Sequence, residues 1–275
     1  MNDYRPQGFS VLPTVVKNLL IINGLFFVAT VVFQNTLHID IKDYLALYYP
    51  GSEYFKPYQL ITHLFMHGNF THLFSNMFAL WMFGAVLENY WGPKKFLIYY
   101  IITGLGAAFL HSTINYFEIS HLKDTAQLFL SNPTPKGFES FVFNSVPTEY
   151  RVSFNELMNL WTNNPTSVSF KDNAVAIVNE LIQVKQNVPT VGASGAVFGV
   201  LLAFGMIMPN AMIYVFFFLP MKAKYFVILY GLFELYSGIQ NNPGDNVAHF
   251  AHLGGAAVGI IIVLIWNRKN RKHFY

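Results

Sequence analysis

Six stretches of the chain are apolar over about the length of 20 residues that a helix needs to cross a bilayer. They run from Pro13 to Gln34, about His67 to Asn89, about Pro93 to His111, Ser194 to Pro209-Asn210, about Ala223 to Gly238, and about Val247 to Trp266. Charge or turn residues bound each run. Lys17 lies close enough to the start of the first to snorkel to the interface, and Gly92-Pro93 separates the second from the third. Between the fourth and fifth, the segment AMIYVFFFLPMKAK is too short to span and is broken by Pro220. An interfacial strand or re-entrant turn is expected there, with Tyr214 to Phe218 as interface anchors.

A polar stretch, Asn115 to Thr190, interrupts this pattern between the third and fourth runs. Phe154 to Thr162 and Asp172 to Gln186 within it have helical apolar spacing, so it reads as a small folded, mostly helical appendage. The expected fold class is an all-α integral membrane protein. The expected divisions are residues 1–114 (N-terminal segment, three spans and the first outer loop), 115–190 (the insertion) and 191–275 (three spans and a basic tail).

Composition agrees with the pattern. Of 275 residues, 53% are hydrophobic and 11% charged, against roughly 25% charged in a soluble domain. That excludes a disordered chain and argues against a soluble enzyme. The absence of cysteine excludes a disulfide scaffold, a cysteine nucleophile, thiolate-bound zinc, an iron–sulfur cluster and thiol redox chemistry. A net charge of +3 argues against a nucleic-acid partner.

The basic residues are informative by position. Arg5 and Lys17, Lys94 and Lys95, Lys222 and Lys224, and Arg268, Lys269, Arg271 and Lys272 all fall on one side of a six-span layout. Both termini are therefore expected in the cytoplasm. The opposite side holds the loop His38 to Met66, the insertion, and the turn Asn241 to Asn246. Basic ends without a transit peptide suit a bacterial inner membrane.

Polar groups inside apolar spans are costly and mark function by default. Span two opens with His67, His72 and Asn76, span four with Ser194, and span six with His249 and His252. The expected topology brings His72, Asn76, Ser194 and His252 to the same outer part of the membrane. Ser194 can act as a nucleophile if His252 takes its proton. Gly195 and Gly199 in span four and Gly255 and Gly259 in span six form small faces that let the two helices approach. His72, Asn76 and the backbone N–H groups at the start of span four are the candidate donors to an oxyanion. Spans two, four and six carry no carboxylate in their outer halves, so the expectation is a dyad; Glu234, near the outer end of span five, is left between a structural partner and solvent. Glu88 is expected to make a structural hydrogen bond or ion pair. No HExxH pattern accompanies His63, His67 and His72, so no metal site is expected there.

In this order the motifs resemble the rhomboid intramembrane serine proteases. The resemblance runs from Tyr58 to the end of span six. It rests on H-x4-H-x3-N at His67, His72 and Asn76, G-x-S-G at Gly192 to Gly195, and A-H-x-x-G at Ala251 to Gly255. It implies a six-helix bundle in which Ser194 is the nucleophile, His252 its base, and His72 and Asn76 stabilise the oxyanion, without a cofactor. It also implies transmembrane protein substrates, met in the lipid and cut near the outer surface. Phe198 stands where relatives often carry a tyrosine that stacks on the base, and Tyr58-Gln59 where many carry Trp-Arg. His67 reads as a residue fixing the mouth of the helix, and His249 as the rival base. The insertion is expected to restrict substrate or recruit an accessory partner. The alternative function is a non-catalytic rhomboid-like binder or escort of membrane proteins.

Overall fold

The computed structural model describes residues 8–215, 218–240 and 247–271, without the side chains of residues 269–271. Arg5, Phe216, Phe217, the turn Asn241 to Asn246 and Lys272 lie outside the described residues, as do the side chains of Lys269 and Arg271. By their contacts the residues form two units: Tyr48–Phe55 with Ser112–Val188, and the remainder.

The larger unit is helical. Helix α1 spans Thr14–Leu37. Its orphan N–H groups are capped by a carboxylate from far along the chain: Val15 N and Val16 N donate to the two oxygens of Glu88 at 2.9 and 2.8 Å. That is the structural hydrogen bonding expected of Glu88. Helix α2, Phe70–Trp91, starts at Asn69, whose side chain accepts from His72 N, and contains a π-helical turn at Leu80–Gly84. Gly92, at φ +81°, ends it, and Pro93 opens α3.

Helix α3 runs over Pro93–Ser131, well beyond the span expected to stop near His111. Apolar length marks the part suited to lipid, and nothing at His111 breaks the helix, since Gly and Pro are absent from 112–131. Helices α1, α2, α3 and α9 (His249–Arg271) are long and apolar enough to cross a membrane. The 14-residue α7, Ser194–Ile207, and the 18-residue α8, Ala223–Gln240, contribute to the same buried cluster as Val16, Leu80, Phe96 and Tyr99. The protein is an all-α membrane bundle, to which the described residues add a small β-hairpin. Between α7 and α8, β1 (Met212–Val215) pairs antiparallel with β2 (Leu219–Lys222), Met212 opposite Lys222. Of the two forms expected of this short segment, a strand or a re-entrant turn, it takes the strand, and Pro220 is tolerated because a two-stranded ribbon leaves each strand an unpaired edge.

Small residues set the packing around α7. A methyl group on Gly255 of α9 would overlap the Gly195 carbonyl, and one on Gly199 would meet the Thr103 side chain of α3 at 2.7 Å. The backbones of α7 and α9 are thus in contact, as the paired small faces predict. Tyr99 OH donates to the Gly199 carbonyl at 2.6 Å, which adds a hydrogen bond where α3 passes.

In the smaller unit, α3 residues Ala126 and Phe129 pack with α4 (Pro135–Ser145), α5 (Asn155–Asn163) and α6 (Val168–Gln186) around the buried Phe138, Phe141 and Trp161. Helices α5 and α6 lie where the apolar spacing puts them. Ser52 donates to Asn187 Oδ1 at 2.7 Å, and Gln186 donates to the Gly51 carbonyl, which ties 48–55 to the end of α6.

Candidate active site

Ser194 is the first residue of α7, and the turn before it is closely determined. Gly192 has φ +125°, open to glycine but strained for L side chains, and its N–H donates to the His63 carbonyl at 3.0 Å. Two residues earlier, Thr190 exchanges backbone hydrogen bonds with Leu47, and its Oγ1 lies 2.8 Å from His111 Nε2. Space requires glycine as well: a Cβ on Gly192 would have His72 Nε2 at 3.0 Å and Ser194 Oγ at 3.5 Å. The imidazole of α2 and the hydroxyl of α7 therefore flank one point beside Gly192.

His72 presents Nε2 to that point. Its Nδ1 lies 3.4 Å from Gly68 N and accepts from it, so in the neutral ring the proton belongs on Nε2. Asn76 lies one turn further along α2, is 6% exposed, and its Nδ2 donor has no hydrogen-bond partner. A buried amide donor without a partner is costly unless another group arrives to use it. His67, at the mouth of α2, is buried edge-on to His72 with ring centroids 5.2 Å apart.

The His252 ring lies flat on Phe198, with centroids 4.2 Å apart and planes 4° from parallel. Phe198 follows Ser194 by four residues on α7, so both are on one helix face, and His252 lies against that face. The backbone contact made by Gly195 with Ala251 and Gly255 brings α9 in at the same level. Among the described residues Ser194 Oγ makes no hydrogen bond to the His252 ring. Catalytic hydrogen bonds are often loose before substrate arrives. A small cavity of about 20 Å³, bordered by His63, Gly192, Ser194 and Ala251, has room for roughly one water molecule.

The chief addition to the sequence reading is Glu234 of α8. It is 2% exposed, and its Oε2 accepts from His252 Nδ1 at 2.9 Å and from His249 Nδ1 at 2.7 Å. A carboxylate is therefore present beside His252, where the sequence suggested a histidine without one, because α8 supplies it and α2, α7 and α9 do not. The signal was available: a carboxylate in an apolar helix needs a partner, and the histidines of the next span are the groups able to serve. His249 shares this carboxylate with His252. Glu234, His249 and His252 also form a potential metal-donor set, with ligand atoms within 4.8 Å of one another.

The Rhomboid domain family model matches residues 54–120 and 157–269. The chain is 27% identical over 217 residues to RHOMBOID-like protein 12, mitochondrial, of Arabidopsis thaliana, a match covering 78% of this chain and 47% of that protein. It is 41% identical over 58 residues to rhomboid protease AarA of Providencia stuartii, or 21% of each chain. A third match, 42% over 50 residues, is to Rhomboid-like protein 11, chloroplastic, of Arabidopsis thaliana, and covers 18% of each. The chain thus spans less than half the length of each of these curated relatives.

Proposed function

The chain belongs to the rhomboid family, and from that premise we propose that it is an intramembrane serine endopeptidase. It cleaves transmembrane segments of other membrane proteins near the outer membrane surface. Both termini are cytoplasmic, in keeping with the basic residues at the starts of α3 and α8 and the end of α9.

Ser194 Oγ attacks the scissile carbonyl while His252 Nε2 takes its proton. The same nitrogen then protonates the departing amine. Water, deprotonated by His252, releases the acyl group from Ser194. The developing oxyanion is held by His72 Nε2–H, by the free Asn76 Nδ2–H and by backbone N–H at the start of α7, where the helix dipole favours negative charge. The substrate helix must unwind locally, because its carbonyl groups are otherwise tied in its own hydrogen bonds. It approaches sideways, with α8 as the gate.

The observation that carries this reading is Phe198: by holding the His252 ring one turn along from Ser194, it supports a nucleophile and base on adjoining helices. Helix α7 has 14 residues and is about 21 Å long, against a hydrocarbon core of about 30 Å. That length suits a serine recessed below the membrane surface, reached by water from above.

A serine-directed fluorophosphonate, applied to the protein in native membranes, tests the reading. Labelling should require both Ser194 and His252 and should vanish in Ser194→Ala and His252→Ala, with cleavage of a transmembrane substrate lost in parallel. Undiminished labelling and cleavage by folded Ser194→Ala would remove the assignment.

A further inference from the structure

The mechanism above needs His252 in one tautomer, with Nδ1 protonated and Nε2 bare, and a free imidazole in an apolar helix has little reason to hold it. The carboxylate of Glu234 supplies that reason. Its Oε2 lies 2.9 Å from His252 Nδ1, and the only group on an ionised carboxylate is an acceptor, so Nδ1 must carry the hydrogen. The same oxygen accepts from His249 Nδ1 at 2.7 Å, so a second histidine holds the carboxylate in place.

Burial strengthens the case. Among the described residues of α8, only Ala223, Glu234 and Gly238 are buried, and Glu234 is the charged one. A buried carboxylate is tolerated where hydrogen bonds compensate it, and here both compensating donors are histidine rings of α9. Nothing about packing α8 requires a charge at this position, because its neighbours Phe233 and Leu235 are apolar and exposed.

We propose that Glu234 is a positioning residue for catalysis. In this inference, which rests on the Ser194–His252 reading, the dyad becomes a Ser–His–Glu triad assembled from α7, α9 and α8. Glu234 fixes the His252 tautomer and ring orientation, and stabilises the imidazolium formed when Nε2 takes the Ser194 proton. That proton moves from Oγ to Nε2 and on to the leaving amine; the Nδ1 hydrogen stays on the ring and Glu234 stays a carboxylate.

The test compares full-length wild type, Ser194→Ala, Glu234→Gln and Glu234→Asp in detergent micelles, with kcat and KM measured on a transmembrane peptide. Glu234→Gln should lower kcat by about 100- to 10 000-fold with KM within about threefold, as expected of a lost tautomer-fixing carboxylate. Glu234→Asp, which keeps the charge, should recover part of the loss. Nitrogen-15 NMR of labelled histidine reads the ring directly: wild type should show His252 protonated at Nδ1, and Glu234→Gln should lose that preference. A folded Glu234→Gln with kcat within about threefold of wild type would overturn the inference. If that variant does not fold, the wild-type spectrum decides, since a His252 ring protonated at Nε2 would be equally fatal. Ser194→Ala keeps the two readings apart: cleavage surviving there refutes the serine nucleophile, whereas its loss beside an active Glu234→Gln refutes Glu234 alone.

Discussion

Phe198 and His252 are stacked face to face, with ring centroids 4.2 Å apart, and Phe198 is itself flanked by Tyr230 at 4.8 Å. The imidazole is located by the Phe198 ring of α7 on its face and by the Glu234 carboxylate of α8 at its edge. A ring held in this way has little rotational freedom left.

Removing the aromatic face should loosen the base without removing it. Phe198→Leu is expected to lower kcat by about two- to tenfold, in line with an aromatic pair worth about 0.5–1.5 kcal/mol. Phe198→Tyr should retain near wild-type turnover, since stacking needs the ring and not a hydroxyl. Steady-state kinetics on one substrate peptide measures both.

The unpartnered donors of α2 give a second expectation. His72→Ala or Asn76→Ala should each reduce kcat by roughly 10- to 1000-fold, the usual range for an oxyanion donor, with smaller effects on KM. Unchanged rates in both variants would take the pair out of the mechanism.

The contact between α7 and α9 is backbone on backbone at Gly195 and Gly255, with no flexible side chain to give way. Gly255→Ala should therefore separate the helices. The expected outcome is a loss of stability of about 1–3 kcal/mol, the range for overpacking, together with loss of cleavage. Thermal unfolding in detergent reads the first and a substrate assay the second. Gly24, with nothing within 4 Å of its added methyl, is the control, and Gly24→Ala should do neither.

His63, in the segment between α1 and α2, is buried, and that burial lowers its pKa from 6.5 to about 4, against a smaller opposing effect of its bond to the Gln59 carbonyl. The folded protein thus favours the neutral ring, and the unfolded chain binds the proton more readily. The stability this contributes is fully present above about pH 6.5 and is lost as pH falls toward about 4, with a total of about 3 kcal/mol at stake. Melting temperature should fall over that window, and His63→Gln should flatten the dependence. An equal slope in both proteins would dismiss His63 as the cause.

Much of this architecture was legible because a bilayer constrains sequence severely. Apolar runs of the required length located the helices, Gly92-Pro93 the break between α2 and α3, and Pro220 the short segment that does not span; that this segment folds back as a two-stranded hairpin came from the structure. Period and length could not show where α3 ends. A helix continues through polar residues as readily as apolar ones when nothing breaks it, so the run to Ser131 carries no hydropathy signal. The grouping of 48–55 with 112–188 brings together residues far apart in the chain, such as Ser52 and Asn187, which are hydrogen-bonded.

The site divides along the same line. Residue type and order along the chain were enough to pick out Ser194, His252, His72 and Asn76 as candidates, because polar groups inside apolar runs are rare enough to stand out, and the resemblance of G-x-S-G added Gly192. Their relation to Glu234 belongs to the tertiary structure. Which of several nearby groups a buried carboxylate meets depends on the rotation of α8 about its axis, and that is set by packing against α7 and α9. The sequence by itself determined which polar groups enter the membrane; only the folded bundle decided that one carboxylate oxygen would hold two histidines.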